Sequence, residues 1–342
     1  SVNKNALYWV DLRAVQIGVA PDGRPVYGRS MIGETAGADY DLMLTGADKG
    51  GSDSVALTVA KSWDEGIWDG LSAQFVYTYT EAEDVSPMAS SIAQSSYVRF
   101  ASSDHNRPSA ATSDYEIRHR YALNLNYARK FFGDYETKVN LFAQHRSGLP
   151  FSYTFANSRT GNFDNDFGNN VGSYSGRQAT SNQLLYVPAE NDPIVLYAPG
   201  FDAGAFNQFL DNSGLSKFRG RIAPRNAFRH ADVTTIDVRI SQELPAFFPN
   251  GAKLEVFADI ENLGNLLNDE WGVLEQYDFY RGVPVVDVRC ATSATGPTVG
   301  CGTPGAKYVY SAAGGGNFEQ PVQAFRRNSS VWQIKLGAKY KF

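Results

Sequence analysis

No stretch of the 342-residue chain approaches the ~18–20 consecutive apolar residues that a membrane helix needs. That argues against helical membrane spans, not against a membrane, because barrel strands are polar at alternate positions. Histidine is scarce: His105, His119, His145 and His230 are all there is, and none has a His or Cys partner at a metal-site spacing. There is no P-loop and no dinucleotide fingerprint. The stretch VGSYSG (171–176) carries Tyr174 where a nucleophile elbow needs serine. An outer-membrane hydrolase would need a Ser/His/acid set at the barrel rim, and nothing in the sequence places those residues together. No basic stripe accompanies the net charge of −5, which argues against nucleic acid. The expectation is a protein that needs no cofactor and catalyses no reaction. With 32 Gly and 15 Pro, long helices are disfavoured as well.

Cysteine is nearly absent. Cys290 and Cys301 lie 11 apart in a Gly/Thr/Pro/Ala-rich segment with no histidine near. A zinc site wants four closely spaced ligands. A disulfide pinning a local loop fits this pair better than two free thiols, and it implies an oxidising compartment such as the periplasm or cell exterior. The chain begins at Ser1 with no Met and no signal peptide. An exported barrel protein starting so is expected to be a processed chain or a fragment.

Aromatic residues, by contrast, are plentiful, at 13% of the chain with 19 Tyr and 21 Phe. Several form part of strongly alternating strands. In the C-terminal SVWQIKLGAKYKF, Trp332, Ile334, Leu336, Ala338, Tyr340 and Phe342 share one face of an extended strand, opposite Gln333, Lys335, Gly337, Lys339 and Lys341. Leu71, Ala73, Phe75, Tyr77 and Tyr79 share another, with Val76 the exception on the polar side. Tyr121–Tyr127, Ile236–Ile240 and Leu254–Ile260 alternate in the same way. Strands are expected at 5–16, 24–33, 39–46, 53–62, 70–81, 115–130, 135–148, 230–244, 250–262 and 327–342, the first two more weakly than the rest.

The connections discriminate further. Those at 63–69, 131–134 and 245–249 are short; those at 82–114, 149–229 and 263–326 are long. The two kinds alternate strictly through the last six strands. A soluble sandwich has no reason to keep every long loop at one end, whereas an outer-membrane barrel has short periplasmic turns and long extracellular loops. With Phe342 on the periplasmic side, the short turns carry Trp63, Trp68, Phe131, Phe132, Phe247 and Phe248 to the same interface, forming one aromatic girdle. The other strand faces carry Arg118, Arg120, Glu136, Lys138, Asp237, Arg239, Glu255, Asp259 and Glu261. Charge at mid-membrane costs ~2–4 kcal/mol on the lipid side, so these residues should line the lumen or sit near the strand ends.

Five segments then carry a family resemblance: GLSAQFVYTYTEAED (70–84), SDYEIRHRYALNLNYARKF (113–131), AFRHADVTTIDVRISQELP (227–245), KLEVFADIENLGNLLND (253–269) and FRRNSSVWQIKLGAKYKF (325–342). Together they resemble the C-terminal part of a TonB-dependent outer-membrane receptor of the Oar-like group. In that group an Asn-Leu-x-Asn pattern like Asn262–Asn265 ends the next-to-last strand. The likeness spans most of 39–342, although no single motif is as diagnostic as a P-loop. It implies an all-β antiparallel transmembrane barrel of 22 strands, of which residues 1–342 supply about ten. It also implies a Gram-negative cell outer membrane, TonB-energised uptake or translocation of a large or scarce substrate, and contact with lipid, lipopolysaccharide and the barrel assembly machinery. The terminal Phe342 and Tyr340 would be the assembly signal. The plug and TonB box, through which the TonB complex would act, are not in this sequence, so the chain alone is not expected to transport.

Candidate sites remain beside ordinary alternatives. Arg118-His119-Arg120 and Arg225…Arg229-His230 lie at strand tops and fit an anion-attracting entrance or lipopolysaccharide phosphates; interfacial anchoring and salt bridges account for them better. Asp164 and Asp166 in GNFDNDFGNN offer oxygen ligands for Ca²⁺, but ordinary turn chemistry is the stronger account. Aromatics of 149–229, Tyr174 and Tyr186 among them, fit either a grip on a peptide or carbohydrate, or a packed lid. Two other classes stay open: a self-contained small barrel acting as porin or adhesin, signalled by strand 5–16 pairing with 327–342, and a secreted β-rich binding module.

Overall fold

The computed structural model describes residues 6–29, 41–156, 182–246, 251–277, 282–313, 318 and 330–342. Asp164, Asp166, Tyr174, Phe247 and Phe248 lie outside them. Strands dominate, and no described helix is long and apolar enough to cross a membrane.

The largest sheet is an antiparallel meander. Its strands are β1 (Gly51–Ser62), β2 (Leu71–Asp84), β3 (His119–Phe132), β4 (Tyr135–Arg146), β5 (Val233–Pro245), β6 (Lys253–Glu261) and β7 (Gln333–Lys341). They pair in chain order, and the two-residue strand Ala111–Thr112 adds to the end of β2. The turns β1–β2, β3–β4 and β5–β6 are short and all lie at one end, with Phe342; the long connections leave the other end. Among the described residues the sheet does not close: β1 and β7 are its two edges.

The register carries the alternation from strand to strand. Tyr77 stands opposite Leu57 and Tyr121, and Leu125 opposite Ala73 and Leu141. Val238 stands opposite Leu141 and Ile260, and Ile334 opposite Ile260. One face is therefore mainly apolar across the sheet, with His119, His145, Arg129, Thr137 and Gln242 toward its two ends, and it is open to the surroundings at Leu57, Phe75, Ile240 and Leu336. The other face is polar. Its registers stack Arg239 on Asp259 and Asn140, and Asn140 on Asn126.

The three N-terminal strands predicted from sequence lie apart from this sheet. The predicted strand 5–16 divides into Ala6–Asp11 and Ala14–Val19, because the chain turns at Leu12-Arg13. Ala6–Asp11 pairs with Leu42–Ala47, not with β7, so the pairing that would signal a self-closing small barrel is not formed. Ala14–Val19 pairs with Pro25–Arg29 as a hairpin.

Above the meander the long connections build a second hydrophobic unit, a cap. Tyr153–Ala156, Val283–Ala291, Lys307–Ala312 and Val195–Tyr197 form one four-stranded sheet, with parallel pairings at both flanks. The helix Ala203–Asn212 packs beneath it. Asp202 caps that helix by accepting from the Ala205 N–H at 2.9 Å, and Phe206, Phe209 and Leu210 face inward at i, i+3 and i+4. Phe155, Leu185, Phe206, Leu210, Leu215, Val283 and Val286 are fully enclosed. Burial of each such side chain contributes roughly 1.5–3 kcal/mol. The predicted disulfide is formed: Cys290 and Cys301 are joined, with Cα atoms 5.1 Å apart. It holds Gly302 against Gly18 of the N-terminal hairpin, where a Cβ on Gly18 would come within 2.8 Å of the Gly302 Cα. Arg24 of that hairpin reaches Asp22, the Gln183 side chain at 2.9 Å and the Leu184 carbonyl at 2.8 Å, tying the hairpin to the cap core.

Candidate functional site: the polar groove and its rim

The polar face of the sheet forms an open groove of about 510 Å³, bordered by Asn124, Asn140, Phe142, Asp237, Arg239, Asp259, Glu261 and Gln333. Strand alternation sends these side chains to one side, and register brings them together. Phe142 stands opposite both Asn124 and Asp237. The Asn140 side-chain amide donates to the Asn126 side-chain oxygen. Arg239 lies on Asp259 at 3.0 Å and on Glu255 at 3.8 Å, with its guanidinium 4.1 Å above the Phe257 ring. Phe257 in turn covers Gly337, where an added Cβ would overlap the ring. An exposed aromatic among amides and carboxylates offers stacking and hydrogen bonds to a polar ligand.

Toward the short-turn end this face is closed by ion pairs. Glu243 accepts from Lys253 at 2.8 Å and Lys341 at 3.1 Å, and Lys341 also reaches Glu255 at 2.5 Å. Toward the cap lies an arginine-rich rim. Glu116, fully enclosed, accepts from Arg118 at 3.1 Å, from Arg229, and from the Ala82 N–H at 2.7 Å. Arg225 is buried between Asp84 (2.6 Å) and Asp114 (3.3 Å). Arg120 is exposed and donates to the Gln144 side-chain oxygen at 2.7 Å.

The candidate residues from sequence are thus dispersed. Arg118, Arg225 and Arg229 are engaged by carboxylates inside the rim. Arg120 and His119 point to opposite faces: His119 sits on the apolar side, where its Nδ1 is 3.0 Å from the Tyr77 hydroxyl. His230 is buried between Phe151 and Tyr277, at ring distances of 4.7 and 5.1 Å. Tyr186 is buried in the cap and donates to Asp192 at 2.8 Å. Tyr340 and Phe342 are exposed at the sheet's lower end. Among the described residues no group of His, Cys, Asp or Glu is arranged to hold a metal. The groove residues Asn124, Asn140 and Phe142, and Arg146 at the rim, were not singled out by sequence; only the strand register relates them.

The Asn-Leu-Gly-Asn motif acquires a physical role. Asn262 sits in the left-handed region, with φ +52°, and its amide donates to the Gly272 carbonyl at 3.1 Å and the Ser330 carbonyl at 2.9 Å. Asn265 donates to the carbonyls of Asp269 and Trp271 and accepts from the Trp332 N–H at 3.4 Å. The motif fastens the top of β6 to the start of β7. Asn262→Ala removes one buried and one part-buried hydrogen bond at a positive φ and is expected to destabilise the protein by about 2–3 kcal/mol. A lowered urea midpoint with unchanged slope would register it.

What the fold defines is a mostly β protein: an open antiparallel meander, apolar on one face and polar on the other, under a disulfide-pinned cap. No family model, curated protein or solved structure matches the chain.

Proposed function

We propose that this chain is a C-terminal segment of an outer-membrane β-barrel receptor of the TonB-dependent kind, its apolar face against lipid, its polar face lining the lumen, and its cap facing the exterior. The observation that carries this reading is the apolar face, kept in register across β1 to β7 and interrupted by Arg129, Thr137 and Gln242 toward the short-turn end and by His119 and His145 toward the cap, while the opposite face carries most of the sheet's charges and amides. A soluble sheet would bury such a face against a second layer; here Val55, Leu57, Val59, Ile334 and Leu336 are all exposed. Its height also supports the reading. From Trp332 to Phe342 the strand runs roughly 33 Å at ~3.3 Å per residue. At a ~40° tilt that is about 25 Å along the membrane normal, the height of a barrel's apolar band. Aromatic residues mark both edges: Tyr77, Tyr79, Tyr121 and Trp332 above, Trp68, Phe131, Phe132, Tyr340 and Phe342 below.

On this reading the substrate is caught by the cap and passes along the polar groove. The partners are outer-membrane lipid, lipopolysaccharide, the barrel assembly machinery acting on Tyr340 and Phe342, and a TonB complex acting through a plug region. The unpaired edges of β1 and β7 call for further strands, since an open edge is not tolerated in a bilayer. The test uses single cysteines carrying a fluorophore in protein reconstituted with spin-labelled lipid. Label at Leu336→Cys or Ile240→Cys should be strongly quenched, and label at Lys335→Cys or Asp237→Cys should not. Equal quenching on both faces, or none on either, would remove the membrane reading and leave a secreted binding module.

A further inference from the structure

We infer that Arg120 and Arg146 form an anion-binding station on the polar face, just below the cap, that receives a carboxylate or phosphate group of the ligand. Antiparallel register sets the two residues directly opposite each other on β3 and β4. Side chains so placed have Cβ atoms ~4.5–5.5 Å apart, and like charges there repel. Among the described residues the surroundings do not neutralise them. Across the sheet their row continues to Thr78 on one side and Val233 on the other. The row beneath holds Val76, Ala122, Gln144 and Thr235. The carboxylate of this face nearest below is Asp237, in the next row down with Phe142 and Asn124. On the cap side, Glu116 is already shared by Arg118 and Arg229, and Asp232 faces His145 at 3.6 Å and the Gly148 N–H at 3.0 Å.

Arg239 makes the contrast. Lower on the same face, it lies on Asp259 and Glu255. Among the described residues neither Arg120 nor Arg146 is within ion-pair distance of a carboxylate. Arg120 makes its hydrogen bond to a neutral amide instead and remains exposed, and Arg146 is half-buried. Two adjacent guanidinium forks with no counter-charge among the described residues match the planar, bidentate geometry of an anionic oxygen pair. Such a ligand would offset the repulsion between the two guanidinium groups. The station lies above the groove, so a ligand held by its anionic end here would lay its polar body along Asn124, Phe142 and Asp237. That this anion belongs to a passing substrate rests on the receptor reading; the anion site itself does not.

The test is calorimetric titration of the whole chain, in neutral-detergent micelles, with inorganic pyrophosphate and separately with citrate. Binding of either at low salt is expected, and Arg120→Gln with Arg146→Gln should weaken it about tenfold or more. Each single variant should fall between, while Arg107→Gln, on an exposed loop, should leave it unchanged. Tighter pyrophosphate identifies a phosphate-bearing ligand, tighter citrate a carboxylate-bearing one. The double variant should melt no lower than the parent, because it removes a repulsion, so lost binding will not reflect lost folding. Absence of binding to both probes, or binding that the double variant leaves intact, overturns the inference. Lipid quenching at Leu336→Cys, measured on the same preparations, separates the two claims. Quenching without arginine-dependent binding removes the station alone. Binding without quenching removes the membrane reading alone.

Discussion

Leu336→Arg is expected to destabilise the protein by ~2–4 kcal/mol in a lipid bilayer and by almost nothing in water. The difference follows from where this side chain lies. Leu336 is 76% exposed, in the middle of β7, opposite Ala258 on the apolar face. In a soluble protein an exposed leucine makes few contacts, and changes at such surface positions stay within about ±0.5 kcal/mol. In a barrel the same side chain sits near the bilayer midplane, four residues from Trp332 and Tyr340 at the two aromatic edges. The neighbouring Lys335 faces the other way. Lys335→Leu should therefore be nearly silent in the bilayer, although it is the more hydrophobic change. Urea unfolding of vesicle-reconstituted protein measures both. A Leu336→Arg cost below about 0.5 kcal/mol would remove the membrane reading, and a larger cost for Lys335→Leu would reverse the assignment of faces.

The same contrast explains how much of the molecule the sequence revealed. The meander was legible because period-two alternation is local, and because loop parity needs only the order of strands. Strands β1 to β7 fall where the alternation put them, and the short turns gather at one end. The cap was not legible. Its sheet joins Tyr153–Ala156 to Val283–Ala291 and Val195–Tyr197 to Lys307–Ala312, segments more than 100 residues apart, in parallel pairings that no hairpin signal announces. Phe155, Phe206 and Phe209 read equally well as a ligand grip or as lid packing. Their burial places them in a packed core with Tyr308 and Tyr310. The helix Ala203–Asn212 did carry a signal, Asp202 before Phe206, Phe209 and Leu210, but it is short and lies inside a segment otherwise read as loop. The groove and the Arg120–Arg146 pair depend on which residue of β4 faces which residue of β3, and one residue of slip would send every side chain to the other face. The Cys290–Cys301 bond needed only the pair's isolation and spacing.

Acidification from pH 7 to pH 4 is expected to loosen the cap and its junction with the sheet while leaving the meander paired. Burial holds two histidines neutral: His105, 1% exposed, and His230, 6% exposed, are each pushed down to about 4. The unfolded chain takes up these protons near pH 6.5, whereas the folded one resists until about 4. Stability therefore falls as pH drops through that window, by about 3 kcal/mol for each histidine. Asp114 works in the opposite sense. Burial, opposed by Arg225 and reinforced by Asp84, pushes it up to about 6. Its ionised form is disfavoured in the folded protein, so acid relieves a strain of about 2–3 kcal/mol between pH 7 and pH 4. The histidines outweigh it, and the net loss is about 3 kcal/mol. Hydrogen exchange should show this as faster opening of peptides spanning 100–118, 182–230 and 283–312 at pH 4, with 119–132 and 135–146 unchanged. His230→Phe tests the cause directly. The imidazole Nδ1 is buried and has no hydrogen-bond partner among the described residues, and the ring lies between Phe151 and Tyr277. A phenyl ring there keeps the packing and removes the titration. The variant should match or exceed the parent at pH 7 and lose about half of the histidine-driven acid sensitivity. An unchanged pH profile would mean that the acid response lies elsewhere.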